Sequence, residues 1–455
     1  MDRTLKDLIQ DDPERGIFRV HRSVMTSQEL FEAERQRIFD RCWLYAGHES
    51  EVPRPGDYKR RTVAGRPIMF VRGSDNQVRV LLNTCPHRGA MVCRQDEGNA
   101  NIFQCFYHAW TFNNKGELIG TPEEDGYGWG FDRAERSMCP PPRVDNYRGM
   151  YFVSFNSSVV DLETYLGDAR IYLDTFIDQG EGSGIRVLPG SFKTHVKANW
   201  KLMVENSADG YHAVPTHFTW IQYLRSQGRD LSLGGGALTV HNVALGHGHA
   251  GSVAVRSDGD QSWYLGHRVR PSFSQEARAR AGKLRNRLIR RYGAEFGAWD
   301  PEKGGATSNF LIYPNMIIGH GFKFIRLIWP VSPDSFDLQM WIAAPNNQSE
   351  DELREVNRNE LFDAQGPGGM QAPDDYEALE SCQVGFAARE VEWSDISRGM
   401  HRLPQPGDEL YMRAFWRQWH ADISGLPEGV RNGDDWESLE AFQRVISGAR
   451  QAVAG

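Results

Sequence analysis

Between residues 25 and 46, Leu30, Phe31, Ile38 and Phe39 recur at helical spacing around Glu34 and lead into Cys42-Trp43-Leu44. That spacing predicts an amphipathic helix near the start of the chain. The period then shortens. Ile68 to Val71, Gln77 to Leu82, Ile102 to Phe106 and Met150 to Phe155 are short runs of branched and aromatic residues separated by Gly, Asp and Asn. They predict a small antiparallel domain from about 40 to 156. Farther on, Leu162 to Asp178, Trp200 to His212, Ser274 to Tyr292, Asp351 to Phe362 and Asp374 to Phe386 read as helices. Phe322 to Trp329 and Asp337 to Ala344 read as strands, so the larger part of the chain is expected to be α+β. Leu233-Gly234-Gly235-Gly236 and the stretch Gly246 to Gly259 look like surface loops, one of them suited to cover a pocket. There is no internal repeat and no low-complexity tract.

Composition narrows the classes. At 455 residues, with 40% hydrophobic and 25% charged positions, the chain is ordinary globular material with room for several domains. No run approaches the ~18 apolar residues of a membrane span, so no membrane partner is expected. The charged opening Met1-Asp2-Arg3-Thr4-Leu5-Lys6-Asp7 is followed by no apolar stretch, which points to the cytoplasm. A net charge of -8 argues against nucleic acid, and the basic run from Arg278 to Arg291 reads as the solvated face of a helix. Six cysteines are too few for a disulfide framework and direct attention to metal binding.

Cys85-Pro86-His87 and Cys105-Phe106-Tyr107-His108 are C-x-H and C-x-x-H pairs separated by 17 residues, each at the tip of a strand-like run. Two thiolates and two imidazoles suit either structural zinc or a 2Fe-2S cluster with Cys₂ on one iron and His₂ on the other. Zinc sites usually keep like ligands together, whereas each pair here mixes one Cys with one His. Mixed pairs favour the cluster, because two similar loops facing each other would each give a Cys to one iron and a His to the other. Cys42, Cys93, Cys139 and Cys382 have no partner at ligand spacing and read as small buried hydrophobes. With Arg88-Gly89-Ala90 after the first pair and Ala109-Trp110 after the second, the two segments closely resemble the Rieske signature of the large subunits of aromatic-ring-hydroxylating oxygenases.

A second constellation lies in Asn199 to His217. On a continuous helix Asp209 and His212 would stand about 60° apart on one face, with His217 about 140° from His212. Pro215 disfavours that continuation, and a helix ending near Val214 would let both imidazoles turn to one centre. Two imidazoles and one carboxylate with open positions form the facial triad of non-haem Fe(II) oxygenases, while two satisfied structural histidines are the bland alternative. The resemblance selects the third ligand: it assigns that role to Asp375, the second acid of the Asp374-Asp375 pair after the Gly-rich turn. Asp374 reads as a first-turn residue favoured by the helix dipole. His247 and His249 form an H-x-H in a glycine-rich setting with no third ligand.

The resemblance extends to Trp393-Ser394-Asp395-Ile396-Ser397-Arg398-Gly399 and covers nearly the whole chain. It implies an α+β architecture in which residues 1–39 pack with the catalytic domain. An antiparallel β Rieske 2Fe-2S domain (40–156) is inserted before a helix-grip catalytic domain (157–455) of antiparallel sheet and covering helices. It also implies one 2Fe-2S cluster held by Cys85, His87, Cys105 and His108, and one mononuclear Fe(II) held by His212, His217 and Asp375. Asp209 would be the electron-transfer bridge between a cluster histidine and an iron histidine across subunits. Within the family, Glu205 to His212 and Met370 to Asp375 look most like the benzoate, toluate, anthranilate and cumate branch. Asn206, polar where naphthalene and biphenyl enzymes usually have Phe, is a candidate pocket residue. Arg326 is readable either as a partner for a substrate carboxylate or as a structural strand residue.

The activity implied is cis-dihydroxylation of an aromatic ring, an aromatic carboxylate by the branch, using O₂ and electrons from NADH. The chain has no flavin or NAD motif of its own. A separate flavin reductase, a ferredoxin or both are therefore expected, with an α₃β₃ assembly including small β subunits or a homotrimer. A monooxygenase or O-demethylase is the rival within the class. A Rieske electron carrier without catalysis is the remote one.

Overall fold

A computed structural model describes residues 5–177, 183–207, 209–226, 238–256, 306–319, 323–358, 365–366, 368–401 and 407–425. The chain forms two compact units, Phe39–Tyr165 and a second one built from Met1–Ile38 together with Leu166–Gly455. The units divide at 38/39 and 165/166, against the expected 39/40 and 156/157.

In the smaller unit Asp57–Val63, Arg66–Arg72, Val78–Leu82 and Glu97–Asn99 make a four-stranded antiparallel sheet. A second sheet pairs Ile102–Gln104, Thr111–Asn113 and Leu118–Gly120, and a third joins Leu44–His48 to the hairpin Arg143–Tyr147 and Met150–Ser154. Met69, Val71, Leu81, Val92, Phe103, Phe112, Leu118 and Met138 are buried together with Cys85 and Cys105. The loops carrying those two cysteines are therefore anchored from below by side chains already removed from water.

The larger unit is organised on an eight-stranded antiparallel sheet. Its order runs Ile185–Val187, Ser335–Pro345, Phe324–Ser332, Met316–Gly319, Ala306–Ile312, His249–Arg256 and Leu238–Gly246, with Phe192–Val196 also paired to Ser335–Pro345. The strands Met316–Gly319 and Phe324–Ile328 are buried on both faces, which explains their apolar sequence, interrupted by the buried Arg326. The helices Trp200–Asn206 and Leu410–Ser424 pack on this sheet, and Ala372–Gly385 packs on Trp200–Asn206. Glu34, 1% exposed, ties the N-terminal segment into the unit. Its carboxylate accepts from Lys201 Nζ at 2.6 Å, Trp200 Nε1 at 2.8 Å and Trp419 Nε1 at 2.8 Å. A buried carboxylate is tolerated because a cation and two indole donors saturate it.

Several sequence expectations change in register or kind. The N-terminal helix is only Gln28–Glu34, followed by a wider π turn over Arg35–Phe39, and Leu44 already belongs to a strand. Leu162 to Asp178 breaks at Gly167, whose φ is +48°, into Leu162–Leu166 and Ala169–Ile177. The expected loop from Gly246 to Gly259 is overturned over His249–Arg256: among the described residues of that stretch only 246–248 turn the chain, at φ values of +83°, +50° and +75°. His249–Arg256 is a sheet strand with Gly251 against Phe310. Cys42 and Cys93 are buried as expected, whereas Cys139 and Cys382 are exposed. Residues 233–236 and 257–259, the helix predicted over Ser274 to Tyr292 and the basic run from Arg278 to Arg291 lie outside the described residues.

Candidate metal centres

In the smaller unit the two cysteine loops have the same backbone. Cys85 N donates to Ala90 O at 2.8 Å and Gly89 N to Cys85 O at 2.8 Å. Cys105 N donates to Trp110 O at 2.8 Å and Ala109 N to Cys105 O at 2.9 Å. The fourth position after each cysteine requires a left-handed backbone, supplied by Gly89 at φ +76° and by Ala109 at φ +57°. An alanine held there is strained and persists because the rest of the loop is fixed.

These matched turns bury Cys85 and Cys105 side by side, at 3% and 2% exposure, and leave His87 and His108 half-buried above them. The two imidazoles are 4.5 Å apart between ring centroids, and Trp110 stacks flat on His87 at 5.0 Å. Burial, with the neighbouring Cys105 thiol, pushes the Cys85 thiol above its usual range. Partial desolvation, then His87 and Arg88, hold the His108 imidazole below its ordinary value. Two imidazoles beside two buried thiols suit iron, which binds the thiolate and the neutral ring. His87 Nδ1 is buried with no hydrogen-bond partner, an orphan atom that such a centre would satisfy.

The second constellation assembles differently from the helical extrapolation. The helix Trp200–Asn206 begins with the Asn199 side chain capping Lys201 N and ends at Ser207, so Asp209 and His212 are not on one continuous helix. The chain bends through 209–211 and then makes a single helical turn, Ala213–Thr216, with His212 at its N-cap and His217 at its C-cap. Pro215 lies inside that turn rather than after it, where its missing N–H costs nothing. One turn flanked by the two histidines brings their rings to 5.3 Å.

The helix Ala372–Gly385 delivers Asp375 from its first turn, 6% exposed. Asp375 Oδ1 lies 3.3 Å from His212 Nε2 and 3.3 Å from His217 Nε2. All three donor atoms fall within 4.8 Å of one another. Ligand bonds of roughly 2.1 Å at right angles place neighbouring donors about 3 Å apart, close to the separation of Asp375 Oδ1 from each imidazole nitrogen. Burial opposes ionisation of Asp375, yet His212 and His217 hold its carboxyl well below the usual range. Burial pulls His212 down, but Asp209 and Asp375 outweigh it and lift the imidazole to about 9.

The second nitrogen of His212, Nδ1, stands 3.0 Å from Asp209 Oδ2, while Asp209 Oδ1 accepts from Tyr211 N at 2.7 Å. Asn206 Nδ2 donates to Asp375 Oδ1 at 3.0 Å and faces His212 Nε2 at 3.3 Å. Asn206 therefore sits against the donor atoms themselves. His217 Nδ1 faces Asp374 Oδ2 at 3.5 Å, a contact hidden from composition and spacing. The sequence signal was the adjacency of two acids in a helix's first turn. Arg326, 4% exposed, donates to Gln365, which in turn donates to Gln371 at 2.8 Å. Among the described residues, His247 and His249 belong to no group of three metal-ligating side chains; His249 Nδ1 accepts from Tyr313 N at 2.9 Å, and their ring centroids stand 6.3 Å apart.

Such a fold and two such centres define a class, an oxygenase subunit with a 2Fe-2S domain and a mononuclear iron domain. A Rieske [2Fe-2S] domain family matches residues 42–140, and the catalytic domain of ring-hydroxylating alpha subunits matches 162–425. The chain belongs to the aromatic-ring-hydroxylating oxygenases, as an alpha subunit. It is 32% identical over 415 residues to the 2-halobenzoate 1,2-dioxygenase large subunit of Burkholderia cepacia, covering 89% of this chain and 85% of that one. It is 31% identical over 412 residues to the toluate 1,2-dioxygenase alpha subunit of Pseudomonas putida, covering 89% and 87%. Its fold is shared with naphthalene 1,2-dioxygenase solved with indole bound, at a TM-score of 0.76 and 22% identity over 97% of this chain and 100% of that one. Among the described residues, no helix is long and apolar enough to cross a membrane.

Proposed function

We propose that this chain is the large subunit of a terminal oxygenase that cis-dihydroxylates an aromatic carboxylate in aromatic catabolism in the cytoplasm. The reaction adds both atoms of O₂ across two ring carbons and consumes NADH and a proton, giving a dihydrodiol and NAD⁺. The carrying observation is the convergence of His212 Nε2, His217 Nε2 and Asp375 Oδ1 within 4.8 Å of one another, a two-histidine, one-carboxylate set that would leave the remaining ligand positions of an iron to substrate and O₂.

Cys85, His87, Cys105 and His108 would hold the cluster, and His212, His217 and Asp375 the mononuclear iron. When bound, the cluster supplies single electrons and the iron activates O₂. The chain's own groups prepare the site. Asp209 keeps the proton of His212 on Nδ1, so that Nε2 presents its lone pair. Its remaining role is as the electron-transfer bridge to a cluster histidine of a neighbouring subunit. Asn206 contributes a polar group beside the ligands, in keeping with a pocket for a substrate that is not pure hydrocarbon. Electrons would come from NADH through a flavin reductase, a ferredoxin or both, to a trimer of this chain with or without small β subunits. The carboxylate assignment draws on the relatives, which are named for 2-halobenzoate and toluate.

The test is turnover of the reconstituted system on benzoate and substituted benzoates under ¹⁸O₂. A dihydrodiol carrying two labelled oxygens, coupled to NADH use, is expected. One labelled oxygen in a phenol or an alcohol would make the chain a monooxygenase or O-demethylase. Failure of every aromatic acid beside success of unsubstituted hydrocarbons would overturn the carboxylate assignment alone.

A further inference from the structure

The two iron histidines differ in what stands behind them. His212 Nδ1 has Asp209 Oδ2 at 3.0 Å. His217 Nδ1 is buried in a residue 2% exposed and makes no hydrogen bond, and the carboxylate nearest to it is Asp374, whose Oδ2 is 3.5 Å away. That oxygen is also buried without a hydrogen bond. A buried imidazole N–H and a buried carboxylate oxygen each lose hydration and regain it only through a partner. Here the two stand 3.5 Å apart, a few tenths of an ångström beyond ordinary hydrogen-bond length.

We propose that Asp374 is a positioning residue for His217: its carboxylate accepts the Nδ1 proton and so fixes the tautomer that presents Nε2 to the iron. The placement follows from the helix. Asp374 and Asp375 are consecutive in the first turn of Ala372–Gly385, and consecutive helical side chains diverge by about 100°. One acid reaches the inner nitrogen side of His217, where Oδ1 of Asp375 stands 3.3 Å from Nε2. The other reaches the outer nitrogen. The adjacent acids thus grip one imidazole from both edges, and the site gains two carboxylate–histidine pairs, Asp209–His212 and Asp374–His217. The helix dipole favours both acids at that terminus, so the same residue serves two purposes. Metal-ligating histidines depend on such partners for ring orientation and basicity, typically by 10 to 100-fold in metal affinity.

The inference rests on the ligand assignment above, and its test reads metal binding without substrate or turnover. Protein with its 2Fe-2S cluster intact and its mononuclear iron removed is equilibrated with Fe(II) by dialysis, and the dissociation constant is measured for wild type, Asp374→Ala, Asp374→Asn and His217→Ala. Asp374→Ala should weaken Fe(II) binding by about 10 to 100-fold. In Asp374→Asn the side-chain oxygen still accepts the Nδ1 proton, and binding should return to within several-fold of wild type. A merely structural helix-terminal role would rank the two variants by helix stability and leave the dissociation constants alike. Binding of Asp374→Ala within twofold of wild type overturns the proposal, as does Asn behaving no better than Ala. Should Asp374→Ala fail to fold, judged by its cluster spectrum, the comparison of Asp374→Asn with wild type carries the test, and a loss there of more than tenfold overturns it. Unchanged Fe(II) binding in His217→Ala would instead sink the ligand assignment.

Discussion

Asp209 Oδ2 faces His212 Nδ1 at 3.0 Å, on the opposite edge of the ring from the nitrogen that meets Asp375. The carboxylate is three residues from the imidazole it serves, but a chain bend rather than a helix face brings them together. Its second oxygen is engaged by the Tyr211 backbone N–H, which holds the group in place. Asp209 is thus presented to His212 without depending on the metal.

Asp209→Ala should leave the cluster assembled and reducible and weaken mononuclear Fe(II) binding by about 10 to 100-fold, while turnover at saturating Fe(II) falls more than ~100-fold, beyond the usual loss for a carboxylate behind a ligating histidine. Iron content, the reduced cluster spectrum and product formation check this together. Outright loss of mononuclear iron would make Asp209 only a support of the metal, and near-normal turnover would make it a solvated bend residue.

The purified chain should be red-brown and hold two cluster irons plus up to one mononuclear iron. The cluster potential should lie in the roughly -150 to +300 mV range of mixed Cys₂His₂ ligation rather than near -400 mV. Metal analysis and redox titration decide it. Zinc alone in the protein would refute the reading of Cys85, His87, Cys105 and His108.

Glu34→Ala removes the carboxylate that Lys201, Trp200 and Trp419 share. It leaves Lys201 as a buried ammonium, and the stability of the larger unit should fall by about 3–5 kcal/mol. Denaturant unfolding measures the loss. A change under 1 kcal/mol would mean that water or another acid reaches Lys201.

Glu205 sits inward on the Trp200–Asn206 helix and accepts from Trp416 Nε1 at 2.6 Å. Burial, reinforced by Glu409 and Asp209, raises its carboxyl to about 7. A carboxyl raised on folding contributes fully below its unfolded value of 4.5 and loses that contribution as pH rises through 7. Glu205→Gln keeps an acceptor for Trp416 and cannot ionise, so it should be more stable than wild type at pH 8 by roughly 1–3 kcal/mol and nearly equal at pH 5. Unfolding curves at the two pH values test this, and equal stability at pH 8 would show that Glu205 ionises without penalty.

Ala109 holds a left-handed backbone at φ +57° where the matching loop has Gly89. Ala109→Gly should relieve strain and be neutral or stabilising by up to ~1 kcal/mol, with the cluster retained. Thermal unfolding followed at the cluster absorption provides the measurement.

The chemistry of both centres was legible before any fold was known. Candidate ligands are a local matter: mixed C-x-H and C-x-x-H pairs limit which metals fit, and Pro215 between two histidines disfavours one straight helix through both. Short apolar runs likewise marked six of the strands, because side-chain period follows directly from strand geometry. Whatever depends on residues far apart in the chain had to wait for the packed molecule. Asp375 is 158 positions beyond His217, and residue type alone could not select it among 60 acids without the family resemblance. Within the predicted loop, His249–Arg256 became a strand because neighbouring strands supplied its hydrogen bonds. The spacing placed Glu34 on the predicted helix, but its hydrogen-bond partners Lys201, Trp200 and Trp419 come from distant parts of the chain. Asp374 read as a dipole-favoured terminus, and only the packing of its helix against the Ala213–Thr216 turn set its carboxylate beside His217. Local spacing fixes which atoms are available for chemistry; their distances and burial depend on long-range packing, which local pattern does not encode.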